Sequence, residues 1–176
     1  MENYTPEVYL SEEEIRIRVI ELAKSITEDF AGEELLVICT LKGALIFCAD
    51  LIRKIELPVQ LEFISLSSYG DGMQSSGEVK LDMDLSSSIK NKNVLIVEDI
   101  VDTGLTMQTL RALILQRSPK KLKVASLLYK PMRAKVKTTI DYMGFEIEDK
   151  FVIGYGLDYA GRYRELPYVG VLNAGN

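Results

Sequence analysis

Residues 94–107 read Val-Leu-Ile-Val-Glu-Asp-Ile-Val-Asp-Thr-Gly-Leu-Thr-Met, and this stretch decides the fold. Its first four residues are apolar and mostly β-branched, as in a strand that is buried on both faces. Further along, Leu110, Leu113 and Ile114 repeat at helical spacing. The stretch therefore predicts a buried strand, a short turn and a helix.

The predicted turn carries small and hydroxyl side chains around a glycine. Backbone N–H groups at the start of a helix have no partners within the helix, so they are available to an anion. The turn thus predicts a cup for a phosphate group. Its residues are Asp102, Thr103, Gly104, Leu105 and Thr106.

An acidic pair, Glu98 and Asp99, lies where the buried strand is predicted to end, just before this turn. Carboxylates so close to a phosphate would repel it, so another group must lie between them. Sugar hydroxyls, which donate hydrogen bonds to carboxylates, or a magnesium ion with oxygen ligands would each relieve the repulsion. A solvated acidic turn that caps the next helix is the alternative interpretation of such a pair.

Length and composition indicate a protein with one core. The chain has 176 residues, of which 47% are apolar and 27% are charged. That length is enough for one well-buried core and short for two domains of ordinary size. We therefore expect one domain over residues 1–176, without an apolar run long enough to predict a membrane span.

The residue inventory excludes several classes of function. Histidine is absent, which excludes Ser-His-Asp and Cys-His catalysis and histidine-ligated zinc. The net charge of −5 argues against broad nucleic-acid binding, which depends on clustered cations. The N-terminus lacks a secretory signal pattern, and Cys39 and Cys48 lie inside apolar runs, as in a reducing compartment. We expect a cytoplasmic protein.

A strand–helix–strand unit precedes the central stretch. Ser11 and Glu14 form a capping-box pattern at the start of an amphipathic helix that Gly32 ends. Residues 35–39 then predict a strand, residues 44–53 a helix, and the chain from Pro58 to about Leu66 a second strand, which together make a parallel β-α-β unit. In the second helix the side chains predicted to face inward are Leu45, Cys48, Leu51 and Ile52.

The other segments surround the central strand. Residues 67–78 contain three glycines and four serines, a composition that suits a linker or a mobile lid over a site. Residues 79–85 alternate as a half-exposed strand does, and residues 122–129 predict a strand that completes a second β-α-β unit. Shorter strands are predicted around residues 151–153 and at residues 168–172.

Taken together, these segments resemble the hypoxanthine-guanine phosphoribosyltransferase family, a branch of the type I phosphoribosyltransferases. The resemblance implies an α/β fold with a central, mainly parallel sheet flanked by helices, a small hood and a flexible lid at about residues 67–78. The motifs that carry it are Leu41-Lys42-Gly43, Ser67-Ser68-Tyr69-Gly70, Ser75-Ser76-Gly77, residues 94–107, Lys130-Pro131, and Asp141-Tyr142-Met143-Gly144-Phe145-Glu146-Ile147 followed by Phe151-Val152-Ile153-Gly154-Tyr155-Gly156-Leu157-Asp158-Tyr159.

The resemblance also implies a reaction. An enzyme of this family transfers the 5-phosphoribosyl group of phosphoribosyl pyrophosphate (PRPP) to N9 of hypoxanthine or guanine, giving IMP or GMP and pyrophosphate. It implies Mg²⁺ as cofactor, PRPP, hypoxanthine and guanine as small-molecule partners, no nucleic acid or membrane partner, and a homodimer or homotetramer. A xanthine-preferring enzyme and a non-catalytic PRPP-sensing regulator are the alternatives.

Site residues follow from the resemblance position by position. Asp102 is implied as the general acid/base at purine N7, and its ordinary alternative is an N-cap role. For Lys130 the alternative is a lysine on the surface. For Phe151 and Val152 it is a pair of core residues. In this family the peptide between Leu41 and Lys42 is often cis. The residues implied for the 5-phosphate and ribose are Glu98, Asp99, Asp102, Thr103, Gly104, Leu105 and Thr106. Those implied for pyrophosphate are Leu41, Lys42, Gly43 and Arg164, and the lid residues are Ser68 and Tyr69. Those implied for the purine are Lys130, Phe151, Val152 and Asp158, and those for the metal are Glu98, Asp99 and Asp158.

Overall fold

The structure is a computed structural model that describes residues 6–68 and 79–172. Three helices, nine strands and one 3₁₀ turn are found in these two ranges. The helices are α1 (Glu12–Asp29), α2 (Leu45–Ile52) and α3 (Leu105–Leu115), and the 3₁₀ turn is Pro131–Arg133. The strands are β1 (Glu7–Leu10), β2 (Leu35–Leu41), β3 (Val59–Ser68), β4 (Val79–Met83), β5 (Asn93–Val101), β6 (Lys121–Tyr129), β7 (Tyr142–Glu146), β8 (Val152–Ile153) and β9 (Val169–Val171).

Six strands form the central sheet in the order β4-β3-β2-β5-β6-β7. All neighbouring pairs are parallel except β3 with β4. From β2 the chain continues to β3 on one side, and from β5 it continues to β6 on the other. The crevice outside the carboxyl ends of β2 and β5 is therefore a topological switch point, where open α/β sheets bind their ligands. The mainly parallel α/β sheet confirms the predicted fold class.

Both faces of the central strands are buried, as the apolar runs predict. Leu35, Val37 and Cys39 face the core that also contains α1 and α2, while Leu36 and Ile38 face the core under α3. Cys39 and Cys48 are both buried and form no disulfide. The alternation gives one helical layer on each side of the sheet.

Helix α1 begins with the predicted capping box. The Ser11 hydroxyl accepts a hydrogen bond from the Glu14 amide at 3.3 Å, and the Glu14 carboxylate accepts one from the Ser11 amide at 2.8 Å. Two otherwise unpartnered amides are satisfied in this way. Because the cap fixes the start of the helix, Ile15, Val19 and Leu22 fall on the buried face.

The inward face predicted for α2 is partly wrong. Leu45 is 46% exposed, whereas Phe47 is fully buried together with Cys48 and Leu51. The buried face follows the i, i+3, i+4 and i+7 spacing that starts at Ala44, so Leu45 lies one position outside it. Leu45 therefore lies on the exposed side of the helix.

A second, three-stranded sheet in the order β1-β9-β8 forms a hood. Its pairs are antiparallel, and the interpretation of the sequence found β8 and β9 but not β1. It also missed β7, which pairs in parallel with β6. Both strands are short, with only four and five residues, so their position depends on tertiary pairing. None of the helices in the two described ranges is both long and apolar enough to span a membrane.

Candidate active site

The predicted cup is found at the switch point, between β5 and α3. Gly104 is the N-cap of α3, with φ of 83°, and as a glycine it supplies no capping side chain; the Leu105 amide has only a long contact of 3.5 Å with the Thr103 hydroxyl. A positive φ suits glycine, and an uncapped N-terminus leaves amides for an anion. A cavity of about 160 Å³ lies over these amides, lined by Glu98, Ile100, Val101, Asp102, Thr103, Gly104, Thr106 and Met107.

Residues after β6 support the cup from behind, which the sequence did not indicate. The carbonyl oxygen of Thr103 accepts a hydrogen bond from the Lys135 amide at 2.9 Å. A methyl group added to Gly104 would overlap the hydroxyl of Thr138. The glycine is therefore required both by its positive φ and by the close approach of the supporting segment.

Asp102 does not cap α3, so the ordinary alternative for this residue is wrong. Its Oδ1 accepts a hydrogen bond from Arg133 Nε at 2.8 Å. Within residues 6–68 and 79–172, Oδ2 has no hydrogen-bond partner. The side chain is 39% exposed. One carboxylate oxygen is thus anchored and the other faces away from the anchor.

Glu98 and Asp99 lie within β5, which continues to Val101 rather than ending at the acidic pair as the sequence suggested. The Thr40 hydroxyl lies 2.7 Å from Glu98 Oε1 and 2.9 Å from the carbonyl oxygen of Val97. Burial of its carboxyl group raises the pKa of Glu98 well above the ordinary value. The Asp99 carboxylate raises it further, and the Thr40 hydroxyl opposes the shift.

The loop after β2 approaches this acidic pair closely. Its Leu41–Lys42 peptide is cis. A methyl group added to Gly43 would overlap the Asp99 carboxylate, and one added to Gly156 would overlap the Gly43 carbonyl oxygen. The Gly43 backbone is therefore packed between the Asp99 carboxylate and Gly156, with no room for a side chain on either glycine.

Lys130 directly follows β6, beside the cup, and is buried, with 8% exposure. Its amide donates a hydrogen bond to the carbonyl oxygen of Val101 at 3.0 Å, and its Nζ lies 3.5 Å from Asp149 Oδ1. Lysine is rarely buried without a partner. The alternative of a surface lysine is therefore wrong, and its ammonium is held at the site.

Phe151 and Val152 have different environments, although the sequence offered them together as a core pair. Val152 is buried, while Phe151 is 55% exposed. The Phe151 ring meets the Tyr159 ring edge to face, with centroids 5.7 Å apart. An exposed aromatic ring two residues after Asp149, the partner of Lys130, is suited to stacking on a flat heterocycle.

Asp158 and Arg164, which the sequence assigned to magnesium and pyrophosphate, contact each other. Arg164 Nη2 lies 2.7 Å from Asp158 Oδ1, and Arg164 Nη1 donates to the Gly156 carbonyl oxygen at 2.6 Å. Asp158 Oδ2 accepts from the Gly161 amide at 2.8 Å. The pair thus fixes the loop that packs on Gly43.

Comparison with known proteins connects this geometry to a family. The phosphoribosyl transferase domain family matches residues 7–160. The chain belongs to the phosphoribosyltransferase family. It is 45% identical to the hypoxanthine phosphoribosyltransferase of Salmonella typhimurium over 95% of both chains. It is 46% identical to the hypoxanthine-guanine phosphoribosyltransferase of Bacillus subtilis over 98% of this chain and 96% of that protein.

Solved structures agree with this phosphoribosyltransferase assignment. The crystal structure of a hypoxanthine-guanine phosphoribosyltransferase from Bacillus anthracis has a TM-score of 0.93 and 46% identity, and the match covers 97% of this chain and all of that chain. A hypoxanthine phosphoribosyltransferase from Staphylococcus aureus has a TM-score of 0.91 and 44% identity, over 95% and 91% of the two chains. The likeness places this chain in the hypoxanthine-guanine branch and confirms the type I phosphoribosyltransferase fold.

The two predicted lid residues lie at the edge of the described residues. Ser68 is the last residue of β3. Tyr69 lies outside the described residues, as does most of the predicted lid. In the described parts of the chain, no group of three or more acidic or cysteine side chains forms a metal site. Glu98 and Asp99 are therefore a two-carboxylate pair, to which Asp158 does not add a third.

Arg133 and Asp149 contribute to the site, and sequence reasoning missed both. Arg133 ends the 3₁₀ turn after Lys130 and contacts Asp102, while Asp149 lies before Phe151 and contacts Lys130. Arg133 lies three residues after Lys130, but its contact with Asp102 forms only because β5 pairs with β6. Nothing in the local sequence marks Asp149, because its partners are distant in the chain.

Proposed function

We propose that this phosphoribosyltransferase transfers the 5-phosphoribosyl group of PRPP to N9 of hypoxanthine or guanine, releasing pyrophosphate and giving IMP or GMP. One observation carries the proposal. An uncapped helix N-terminus and a buried lysine lie side by side at the switch point, so a phosphate site adjoins a site for a polar heterocycle. The relatives named as hypoxanthine and hypoxanthine-guanine phosphoribosyltransferases support this assignment.

The 5-phosphate binds in the cup. Backbone amides of residues 103–106 and the hydroxyls of Thr103 and Thr106 donate to its oxygens. Charge-assisted hydrogen bonds contribute about 1.5–3 kcal/mol each, so three or four of them anchor the substrate firmly. Gly104, held by its positive φ, keeps these amides turned toward the cavity.

Glu98 and Asp99 bind the ribose hydroxyls or a magnesium ion. The donor set fits Mg²⁺, because this ion prefers oxygen ligands and commonly takes one or two carboxylates together with substrate phosphates. No lysine or arginine of the described residues pairs with either carboxylate, so their mutual repulsion favours a cation or hydroxyl donors. When bound, Mg²⁺ neutralises charge on the leaving pyrophosphate. Asp158 is proposed to bind magnesium near the pyrophosphate, apart from Glu98 and Asp99, in exchange for its contact with Arg164.

Asp102 is the proposed general acid/base at purine N7. Its anchored Oδ1 leaves Oδ2 for the heterocycle, which is the geometry that proton transfer requires. Lys130 donates to the six-oxo group, and because an ammonium cannot accept a hydrogen bond, the six-amino group of adenine is rejected. Discrimination of this kind reaches about 10⁴-fold where the unmatched group is desolvated.

The remaining proposed contacts lie on both sides of these groups. Phe151 stacks on the purine, and the Val152 backbone pairs with the base edge. Leu41, Lys42 and Gly43 supply backbone donors to pyrophosphate, with Arg164 adding its guanidinium. Ser68 and Tyr69 close over the site and exclude water that would hydrolyse the activated sugar.

We further propose that the chain is one domain that forms a homodimer or homotetramer in the cytoplasm. The family match over residues 7–160 supports one domain. Leu45 and Ile46, exposed at the start of α2, supply apolar surface that an interface would cover. Both cysteines are free thiols, as in proteins of a reducing compartment; the hydrogen bond with the Cys48 thiol, and then burial, raises the pKa of Cys39.

Steady-state assays with hypoxanthine, guanine, xanthine and adenine, each with PRPP and magnesium, test this function. We expect pyrophosphate release with hypoxanthine and guanine and almost none with adenine. A preference for xanthine would correct the substrate, and no release with any purine would refute the enzyme assignment.

A further inference from the structure

Four charged side chains form a continuous series of ion pairs, which we call the relay, and its two ends are the residues assigned to the purine. They alternate in sign in the order Asp102, Arg133, Asp149, Lys130. Arg133 lies 2.8 Å from Asp102 through Nε and 3.6 Å from Asp149 through Nη1. Asp149 uses its other carboxylate oxygen for Lys130, at 3.5 Å. The two middle members have no place in the function proposed above.

The relay contributes little to the stability of the fold. The side chains of Arg133 and Asp149 are 45% and 51% exposed. Ion pairs this open to solvent typically contribute about 0–1 kcal/mol. Their arrangement must therefore be explained by what they hold rather than by the energy they supply. What they hold is the carboxylate of Asp102 at one end and the ammonium of Lys130 at the other.

The relay also joins the two segments that follow the paired strands β6 and β7. Lys130 and Arg133 flank the 3₁₀ turn after β6, whereas Asp149 lies in the connection between β7 and β8, two residues before Phe151. The Asp149–Lys130 contact therefore links the ammonium to the loop that carries the exposed aromatic ring. A purine bound between them requires both at a fixed separation.

We infer that Asp149 and Arg133 are positioning residues for the purine: Asp149 aims the Lys130 ammonium and Arg133 aims the free oxygen of Asp102. This inference rests on the proposed function and adds to it. Asp149 acts on recognition of the base, because its partner is Lys130. Arg133 acts on turnover, because its partner is Asp102. The two roles separate in the kinetic constants.

Asp149→Asn tests the first half. The amide keeps the shape of the carboxylate and loses its charge, so the ammonium is no longer held. We expect KM for hypoxanthine to rise about fivefold, as for loss of one half-exposed ion pair, with KM for PRPP and kcat nearly unchanged. Asp149→Glu should restore part of the loss. Equal changes in both KM values, or none, would overturn the role of Asp149.

Arg133→Met tests the second half. It keeps the apolar stem and removes the guanidinium, so we expect kcat to fall about fivefold with both KM values nearly unchanged. Arg133→Lys should recover part of kcat, because it restores the charge without the planar fork. A kcat that stays at the wild-type value, or a lysine variant as slow as the methionine variant, would overturn the role of Arg133.

Glu148→Gln is the matched control. Glu148 pairs with Lys150 at 2.7 Å, is 71% exposed, and adjoins Asp149 in sequence. We expect all three kinetic constants to stay at wild-type values, and a kinetic change equal to that of Asp149→Asn would overturn the inference. If the wild type is active and the Asp149 and Arg133 variants keep its kinetic constants, only the positioning role of these two residues is refuted. A wild type inactive toward all four purines refutes the proposed function, and the inference with it.

Discussion

The phosphate cup and the purine site lie side by side at one end of the sheet, but they are built in different ways. The cup comes from one strand, one turn and the start of one helix, within residues 98–107. The purine site collects Lys130 from the end of β6 and Phe151 from the loop before β8. Backbone amides dominate the first, and side chains held by distant partners dominate the second.

This difference explains which part of the site is rigid by construction. An amide at a helix N-terminus is fixed by the helix itself, so the cup needs only a glycine and a supporting segment. An ammonium or a carboxylate has rotatable bonds that must be restrained by contacts. Asp102 and Lys130 obtain these restraints from Arg133 and Asp149. Variants of Asp102, Gly104 and Lys130 separate the two constructions.

The largest expected effect is that of Asp102→Asn. Loss of general acid–base help typically lowers kcat by about 10²–10⁴-fold, with modest change in KM. Steady-state kinetics with hypoxanthine measure it. Asp84→Asn removes an acidic side chain that pairs with Arg117 far from the site, and it should leave kcat unchanged. If Asp102→Asn turned over at the wild-type rate, Asp102 would lose its assigned role.

Gly104→Ala should damage the cup and leave the purine site nearly intact. Alanine at a positive φ costs about 1–3 kcal/mol, and the added methyl group would also overlap Thr138. Together these effects correspond to a rise in KM for PRPP of about 10²-fold.

Gly32→Ala is its matched control, because Gly32 has φ of 78° with no atoms near the added methyl group. This control should lose stability and keep its KM values. If Gly104→Ala weakened the binding of hypoxanthine as much as the binding of PRPP, the cup and the purine site would not be built independently.

Lys130→Ala should do the reverse. Removing a charged hydrogen-bond donor to the base costs about 1.5–3 kcal/mol, so purine binding should weaken about 10–100-fold. Binding of PRPP should stay near the wild-type value, since the cup does not depend on this side chain. Separate titrations of PRPP and of hypoxanthine measure the two affinities. Equal losses for both ligands would contradict base recognition by Lys130.

Tyr142→Phe should change stability alone and in a pH-dependent way. The Tyr142 hydroxyl donates to Asp29 at 2.6 Å, and this bond, followed by Lys123, lowers the pKa of Asp29. Because the pKa of Asp29 is lower in the folded state, the ionised carboxylate stabilises the fold at pH values above the unfolded-state pKa of about 3.9. This contribution is lost as the pH falls through the folded-state pKa.

Because Asp29 is 46% exposed, the loss in Tyr142→Phe is about 1 kcal/mol at pH 7, or about 3 °C in Tm. Thermal unfolding at pH 7 and pH 3 measures it, and the difference should shrink at pH 3. If the difference in Tm between variant and wild type grew at low pH, the stabilising role of the Asp29 carboxylate would be contradicted. If the KM values changed, the active site would have to extend to the far end of the sheet.

The cup could be predicted from the sequence because its determinants are local. The apolar run, the acidic pair and Gly104 occupy consecutive positions, so strand, turn and N-terminus follow from one stretch. Arg133 and Asp149 could not be predicted, since they meet Asp102 and Lys130 only after β5, β6 and β7 pair. The exposure of Leu45 was missed for a related reason, because the rotation of α2 depends on packing of Phe47.

The most direct test of this account is a crystal structure of the protein with the nucleotide IMP. The account predicts the 5-phosphate in the cup, within hydrogen-bond distance of the amides of residues 103–106, and the six-oxo group on Lys130 Nζ with Phe151 against the ring. A nucleotide bound elsewhere, with no phosphate at residues 103–106, would contradict it.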